Sequence, residues 1–168
     1  MAPDYLVAMA RLTAQVAHTG QHYGQGLPYI VHLYSVATVL RRFGVADSDL
    51  LAAAYLHDIL EDTPMSNEEL RRDFGDSIAD IVDRVTNPKG GTRKEKHVFS
   101  YPRISESTSA TTLKVADRIA NVESGDLHDM YLREYPEFRK QLRGTKWVTP
   151  ELGKMWAHLD MLMDYKGA

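Results

Sequence analysis

The chain has 168 residues, no cysteine and a formal net charge of −3 at neutral pH. Its hydrophobic content of 43% and charged content of 26% are typical of one globular domain, and the lack of cysteine excludes disulfides and thiolate metal sites. The slight acidic excess argues against a nucleic-acid-binding surface, and no segment has the length or pattern of a membrane span or secretory signal. We therefore expect a soluble, cytoplasmic protein with no nucleic-acid or membrane partner.

Two helices are predicted at the start of the chain. Apolar residues at helical spacing predict the first over residues 5–18, and a glycine-rich stretch then ends it. Pro28 suits the first turn of a second helix that runs to about Phe43, because a proline there loses no helical hydrogen bond. His32 falls near the beginning of this second helix.

A third helix follows, with Asp47 or Ser48 as its cap. Residues 50–56 are apolar nearly all round, which places this helix in the middle of the fold. Beyond it, residues 66–69 have the Ser-x-x-Glu form of a capping box and predict a short helix that ends at about Phe74.

The rest of the chain also has helical rather than strand periodicity. Helices are predicted over residues 78–85, 110–122 and 127–142, the last interrupted by Pro136, and Thr149-Pro150 opens a final one. Residues 89–109 have little periodicity and suggest a loop with one helical stretch. We expect an all-α bundle of seven or eight helices in a single domain, residues 1–168, with extra C-terminal helices over 127–166.

Residues 55–63 are unusual because ionisable side chains lie inside an apolar run. Two adjacent pairs, His57-Asp58 and Glu61-Asp62, occur in the sequence YLHDILEDT. Residues four apart share a helix face, so His57 is expected above Glu61 and Asp58 above Asp62. Buried ionisable groups are costly unless they are paired or hold a metal. A metal site is the economical explanation, and its ligands must be histidines and carboxylates.

A basic segment lies further along the chain. Between residues 89 and 103 there is a single acid, Glu95, and Gly90-Gly91 opens the segment. The cations are Lys89, Arg93, Lys94, Lys96 and Arg103. This composition indicates an anion-binding segment, and a solvated surface loop is the plainer alternative.

The candidate metal ligands recur far apart in the sequence, as His32, then His57-Asp58, then Asp117. In this pattern the chain resembles the HD phosphohydrolase superfamily. It is more similar to the hydrolase domain of the RelA/SpoT family and to its single-domain relatives, the small alarmone hydrolases. The resemblance covers residues 18–121 and includes GLPYIVH at 26–32, AAYLHDILEDT at 53–63, the helix break at Phe74-Gly75 and LKVADRIAN at 113–121.

The resemblance implies an HD-type bundle that holds one divalent metal ion. Its ligands are then His32, His57, Asp58 and Asp117, and the family favours manganese. Ligand type alone suits Mn, Fe, Zn or Co about equally. Only His97 lies between Asp58 and Asp117, so the extra histidines of dinuclear members are missing.

Two acids and two polar residues accompany the ligands. Glu61 and Asp62 are expected to orient a water molecule or to pass a proton, as the resemblance also implies. Simple capping of the helix end is the alternative, although acids are disfavoured there. Lys114 and Asn121 bracket Asp117 and are expected to reach the substrate, with Asn121 on the sugar by resemblance. Arg118 points elsewhere and is a candidate for a buried ion pair.

Further substrate contacts come from the basic segment and from the region before Pro28. The candidates for the outer phosphates are Arg93, Lys94, Lys96 and Arg103, with Tyr101 stacking or hydrogen-bonding nearby. Alarmone hydrolases usually carry a basic pair after Gly-Gln, whereas this chain has His22-Tyr23 there. Tyr23 can stack on a purine and His22 can donate a hydrogen bond, but the fixed positive charge is missing.

Three functions are compatible with these features. The leading one is a stand-alone hydrolase that cleaves (p)ppGpp, the signal of the stringent response, to GDP or GTP and pyrophosphate. The second keeps the metal and water but acts on another phosphorylated nucleotide, such as NADPH or a nucleoside phosphate, as His22-Tyr23 suggests. The third is a catalytically silent nucleotide-binding module, which usually has lost a ligand or the Glu-Asp pair. The oligomeric state is not readable from the sequence.

Overall fold

The computed structural model describes residues 3–125, 127–144 and 148–164. It is a helical bundle with one small hairpin near the N-terminus. The elements are α1 Pro3–Ala17, β1 His22–Tyr23, β2 Leu27–Pro28, α2 Ile30–Arg42, α3 Ser48–Leu56, α4 Ile59–Asp62, α5 Asn67–Phe74, α6 Asp76–Val85, α7 Arg93–Ser105, α8 Thr108–Glu123, α9 His128–Leu142 and α10 Pro150–Leu162. None of these helices is long and apolar enough to cross a lipid bilayer.

The helical class is confirmed, but the predicted number of helices was too low. Within the described ranges, nine helices have eight residues or more, and α4 is a single turn. The predicted C-terminal helices over 127–166 correspond to α9 and α10, and residues 165 and 166 lie outside the described residues.

Helix α3 lies in the middle of the bundle, as its composition predicts. Every residue from Leu50 to Leu56 is buried, and α3 packs against α1, α2, α6 and α8. The side chain of Asp47 caps it by accepting hydrogen bonds from the backbone N–H groups of Asp49 and Leu50. Helix α8 is the second central element, in contact with α2, α6, α7 and α10. The two helices hold residues 57–58 and 117 at the centre of the fold.

The predicted start of the second helix was wrong. Pro28 lies in the hairpin, where it pairs with His22 in antiparallel register, and α2 begins two residues later at Ile30. The hairpin turn uses Gly24 and Gly26, whose φ angles of 54° and 95° favour glycine. Strands of two residues are too short to show alternation in a sequence, so the hairpin was not predicted.

The run from Leu50 to Asp62 is not one continuous helix. It breaks at His57-Asp58, where Asp58 has φ −100° and ψ 1°, and α4 resumes at Ile59. The backbone N–H of Asp62 still donates to the carbonyl of Asp58 at 2.9 Å. Asp58 and Asp62 therefore keep the predicted shared side, while the break turns His57 and Asp58 inward together.

Proline positions in the C-terminal half also differ from expectation. Pro136 does not interrupt α9, which is continuous from His128 to Leu142. The proline lies on the exposed side of the helix, where water can satisfy the carbonyl that it leaves unpaired. The basic segment does contain its predicted helical stretch, α7, which likewise passes through Pro102.

Candidate metal centre and cleft

Four side chains from three places in the fold converge at the centre of the bundle. His32 comes from α2, His57 and Asp58 from the break between α3 and α4, and Asp117 from α8. The Nε2 atom of His32 lies 3.3 Å from Asp117 Oδ1 and 3.9 Å from Asp58 Oδ2. The Nε2 atom of His57 lies 3.0 Å from Asp58 Oδ2 and 3.9 Å from Asp117 Oδ1.

These separations fit a shared metal ion. Ligand atoms bound at about 2.1 Å to one ion lie roughly 3–4 Å from one another. The ligand atoms of His32, His57 and Asp117 all lie within 4.8 Å of one another, and the four distances to Asp58 and Asp117 fall in this range. The described residues thus contain a His/Asp group able to hold a divalent ion.

His57 has the surroundings of a metal-binding imidazole. Its Nδ1 donates to the carbonyl of Ala54 at 2.9 Å, which leaves Nε2 to bind a proton or a metal ion. That Nε2 atom is buried and, although Asp58 Oδ2 lies 3.0 Å away, it makes no hydrogen bond of good geometry with a described residue. Such an orphaned atom is costly to bury unless it binds something. A metal ion at this position would satisfy it.

The electrostatics of the centre also favour a cation. Burial opposes the charged form of His57, but Asp58 and Asp117 outweigh it and raise the pKa of His57 to about 9. Burial likewise opposes ionisation of Asp117, yet Lys114 and the histidines hold the pKa of Asp117 well below its usual range. Both carboxylates are ionised at neutral pH, so positive charge between them is stabilised.

Asp117 is fixed by neighbours on its own helix. Lys114 Nζ lies 2.8 Å from Asp117 Oδ2, and Asn121 Nδ2 donates to Asp117 Oδ1 at 2.6 Å. Asn121 in turn accepts a hydrogen bond from the Tyr23 hydroxyl at 2.7 Å, while the Tyr23 ring stacks on His32 at 4.7 Å. Lys114, Asn121 and Tyr23, all predicted substrate contacts, therefore also hold the candidate ligands.

Glu61 and Asp62 face different partners. Glu61 Oε2 accepts from the backbone N–H and the side-chain amide of Asn87, both at 3.1 Å, and Glu61 Oε1 lies 3.6 Å from Lys96 Nζ. Asp62 Oδ2 lies 3.3 Å from the Tyr29 hydroxyl. Partial burial, then Asp58 and Glu61, raise the pKa of Asp62. Glu61 is thus tied to the loop before α7, whereas Asp62 is separated from the candidate ligand Asp58 only by the Tyr29 hydroxyl.

An open cleft of about 250 Å³ leads to the centre. Its walls combine the candidate ligands with cations and aromatic rings. It is lined by Tyr23, Tyr29, His32, Asp58, Glu61, Asp62, Asn87, Arg93, His97, Lys114, Asp117, Arg118, Asn121 and Tyr131. A second cavity of about 440 Å³ shares Tyr23, Asn121 and Tyr131 with the cleft and is otherwise lined by His22, Gly24, Gln25 and Leu127. His22 therefore lies beside the cleft rather than in it.

Helix α7 divides the predicted phosphate-binding residues between two faces. Arg93 and His97, one turn apart, line the cleft. Lys94 and Tyr101 instead line a separate cavity on another side of α7. Arg103 pairs with Asp83 at 2.5 Å, with its guanidinium over Phe99. Only one side of helix α7 can face the cleft. The sequence of this segment has little periodicity, so it did not indicate which of the cations would lie on that side.

One residue that lines the cleft, Arg118, is buried and forms an ion pair with Glu134. Arg118 is 3% exposed, and its guanidinium lies 4.6 Å from the ring centre of Tyr131 and 4.3 Å from that of Phe138. Arg118 Nη1 lies 3.4 Å from Glu134 Oε2, and Glu134 also bonds Arg93. The sequence expectation of a buried ion pair at Arg118 is confirmed, but its partner was not predicted.

Several residues in or next to the cleft were given no functional role from the sequence. Tyr29 had a signal, because it belongs to the Pro-Tyr-x-x-His segment, but it was treated as part of a motif without a role of its own. Asn87 was interpreted only as the end of a helix before a proline. His97 and Tyr131 line the cleft and Glu134 pairs with two arginines that line it, yet the three follow no sequence pattern. Only the packing of α7 and α9 against α8 brings them there.

Metal addition should stabilise the folded protein. With protein stripped by EDTA, Mn²⁺ at about 100 times its Kd is expected to add about 2.7 kcal/mol to the free energy of unfolding, because the ion binds the folded state. Differential scanning fluorimetry measures this as a rise in Tm. Asp117→Asn, which removes one ligand charge at nearly constant volume, should abolish most of the rise; an equal rise in both proteins would place the ion elsewhere.

Comparisons with known proteins agree with this geometry. The HD domain family matches residues 10–126. The guanosine-3′,5′-bis(diphosphate) 3′-pyrophosphohydrolase of Haemophilus influenzae is 35% identical over 120 residues, 67% of this chain and 18% of that protein. The bifunctional (p)ppGpp synthase/hydrolase SpoT of Escherichia coli is 33% identical over 122 residues, 68% of this chain and 17% of that protein. The chain thus spans less than a fifth of these relatives' length.

Solved structures resemble the fold over most of the chain. A metazoan ortholog of SpoT, described as hydrolysing ppGpp and playing a role in starvation responses, matches with a TM-score of 0.75 and 26% identity, covering 92% of this chain and 95% of that one. A protein from Listeria monocytogenes EGD-e matches with a TM-score of 0.66 at 23% identity, covering 86% of this chain and 99% of that one. The second likeness concerns the fold alone.

Proposed function

The chain belongs to the HD domain family, and we propose that it is a metal-dependent hydrolase of guanosine 3′,5′-bis(diphosphate) and its pentaphosphate analogue. The observation that carries this proposal is the convergence of His32, His57, Asp58 and Asp117 at the end of a cleft that also contains cations. The activity in the names of relatives 33–35% identical to this chain supports the choice of substrate.

Manganese is the proposed metal, held by His32, His57, Asp58 and Asp117. A bound divalent ion lowers the pKa of water and neutralises negative charge on a phosphoryl oxygen. Nitrogen and oxygen ligands without sulfur are compatible with manganese but do not select it. The family resemblance is what favours manganese over iron, zinc or cobalt.

The proposed reaction breaks the ester bond between the 3′ oxygen and its phosphorus. A water oxygen adds to that phosphorus, the 3′ oxygen leaves and takes up a proton, and pyrophosphate is released with GDP or GTP. Asp62 is the better placed acid to take the proton from the water, since it lies beside the metal centre and its pKa is raised. Glu61 holds Asn87 and Lys96 in place.

The cations of the cleft provide phosphate contacts. Arg93 and Lys114 line the cleft, and Lys96 lies outside its lining but beside the lining residue Glu61. In the substrate-free molecule each of these cations faces a carboxylate: Arg93 faces Glu134, Lys114 faces Asp117 and Lys96 faces Glu61. Phosphate oxygens would replace these carboxylates as partners of the cations. The displaced carboxylates keep other partners: Glu134 keeps Arg118, Glu61 keeps Asn87 and Asp117 keeps Asn121.

The second cavity offers room for the nucleoside. It shares Tyr23, Asn121 and Tyr131 with the cleft, and the proposal is that the nucleotide occupies both spaces on either side of these residues. Tyr23 and Tyr131 provide aromatic surface for a base. His22 and Gln25 are its candidate hydrogen-bond partners.

The test is direct. Purified protein with Mn²⁺ is expected to release pyrophosphate from guanosine tetraphosphate, measured by anion-exchange chromatography of the products. Asp58→Ala, which removes a candidate ligand, should lose this activity. If the wild-type protein releases no more pyrophosphate than Asp58→Ala, the proposed function is wrong.

A different phosphorylated nucleotide is the second candidate, for one specific reason. The described lining of the second cavity contains no lysine or arginine, so no fixed positive charge is available there to select the acceptor edge of guanine. A panel of NADPH, nucleoside phosphates and guanosine tetraphosphate distinguishes the two, because a phosphatase releases phosphate and the leading hypothesis requires pyrophosphate.

A further inference from the structure

The Tyr29 hydroxyl lies between a candidate metal ligand and the proposed base. It donates to Asp58 Oδ2 at 2.7 Å and lies 3.3 Å from Asp62 Oδ2. The same Asp58 oxygen lies 3.0 Å from His57 Nε2, so it is the oxygen that faces the metal centre. The Tyr29 hydroxyl thus contacts the Asp58 oxygen that faces the candidate metal centre, and it lies near the Asp62 carboxylate as well.

The position of Tyr29 is fixed independently of these acids. Its ring stacks on His18 with centres 4.8 Å apart and planes 17° from parallel, and its backbone N–H donates to the Gln21 carbonyl at 3.0 Å. Gln21 also donates through Nε2 to the backbone carbonyl of Asp62 at 2.8 Å. Gln21 therefore holds both Tyr29 and the end of α4, so their separation is set by the fold.

We propose that Tyr29 is a positioning residue that orients Asp58 towards the metal and whose hydroxyl oxygen, lying between the two carboxylates, separates Asp62 from the ligand. This inference rests on the proposed metal-dependent function. A hydroxyl has one proton, so the shorter bond to Asp58 takes it. The bond fixes the rotation of the Asp58 carboxylate, as hydrogen bonds to metal ligands generally do.

The need for such a residue follows from the four-residue spacing of Asp58 and Asp62. Asp58 and Asp62 share one side of α4, and two neighbouring carboxylates repel each other or compete for one cation. Without the hydroxyl, Asp58 is free to rotate away from the histidines and Asp62 is free to turn towards them. Either change weakens the distinction between ligand and base.

The test compares Tyr29→Phe with Tyr34→Phe. Tyr34 lies on helix α2, which begins directly after Tyr29, but it is 38% exposed and packs edge-on against Tyr55, so the same atom is removed away from the cleft. Isothermal titration of metal-stripped protein with Mn²⁺ alone should give a Kd about 10- to 100-fold weaker for Tyr29→Phe and unchanged for Tyr34→Phe. At saturating Mn²⁺, Tyr29→Phe should lower kcat while KM changes little.

An unchanged Mn²⁺ Kd in a folded Tyr29→Phe protein overturns the proposal, and so does equal weakening in Tyr34→Phe. Circular dichroism and the Tm of both variants establish that they are folded. The titration requires no substrate. If the wild-type protein binds Mn²⁺ but cleaves no alarmone, the proposed function fails while the Kd comparison still decides the role of Tyr29.

Discussion

Replacing Asp62 with asparagine should lower kcat by about 10²- to 10⁴-fold, the range expected when a general base is removed. Asparagine keeps the size of the side chain but cannot take a proton from water. Asp58 retains its hydrogen bond from Tyr29 in this variant, so the affinity for Mn²⁺ should stay near that of the wild-type protein. Steady-state release of pyrophosphate and a Mn²⁺ titration measure the two quantities separately.

Glu61→Gln is the matched comparison. A glutamine oxygen has two lone pairs and can still accept both hydrogen bonds from Asn87, so the variant loses mainly the negative charge beside Lys96. The loss of this charge should alter the position of Lys96 and raise KM more than it lowers kcat. If Glu61→Gln instead loses as much kcat as Asp62→Asn while both bind Mn²⁺, the assignment of the two acids must be reversed.

Glu134→Ala is expected to destabilise the protein by about 3–5 kcal/mol, because it leaves the buried guanidinium of Arg118 without its carboxylate. Arg118 is 3% exposed, and neighbouring aromatic rings cannot replace a full negative charge. Arg93 loses its partner as well, although it is less buried. The free energy of unfolding from urea titration measures the effect.

Glu106→Ala is the control for that variant. Glu106 also pairs with an arginine, Arg84, but it is 71% exposed, so its removal should cost no more than about 1 kcal/mol. A Glu134→Ala protein as stable as Glu106→Ala would mean that water, not Glu134, compensates the charge of Arg118.

Much of the fold follows from local sequence signals. The capping box at Ser66 and Glu69, the cap at Thr149 and the all-round apolar composition of α3 each predicted an element that the structure contains. These signals act within one or two turns of the chain, so they are readable without tertiary information. The hairpin and the continuous α9 were missed because they depend on glycine conformations and on which side of a helix faces solvent.

The residues of the candidate site also fall into those that sequence signals predict and those that only tertiary packing determines. The four candidate ligands could be named because their residue types and spacing form a pattern that the fold brings together. The phosphate-binding stripe of α7 could not, since Arg93 and Lys94 are equivalent in sequence and only the packing of the helix places one in the cleft. The role of Glu134 as an ion-pair partner could not be predicted for a related reason. It lies in a helix far along the chain, and its partners Arg93 and Arg118 are on two other helices.

The distribution of the candidate ligands over α2, the break after α3 and α8 has a consequence for folding. An ion bound to all four side chains would act as a cross-link, closing one chain loop between His32 and His57 and a longer one between Asp58 and Asp117. A disulfide persists in the unfolded chain and lowers its entropy, whereas the ion binds the folded state and adds its binding free energy to the stability of that state. A chain without cysteine would thus gain, from the ion proposed for its chemistry, a link between distant parts of the fold that disulfides cannot provide here.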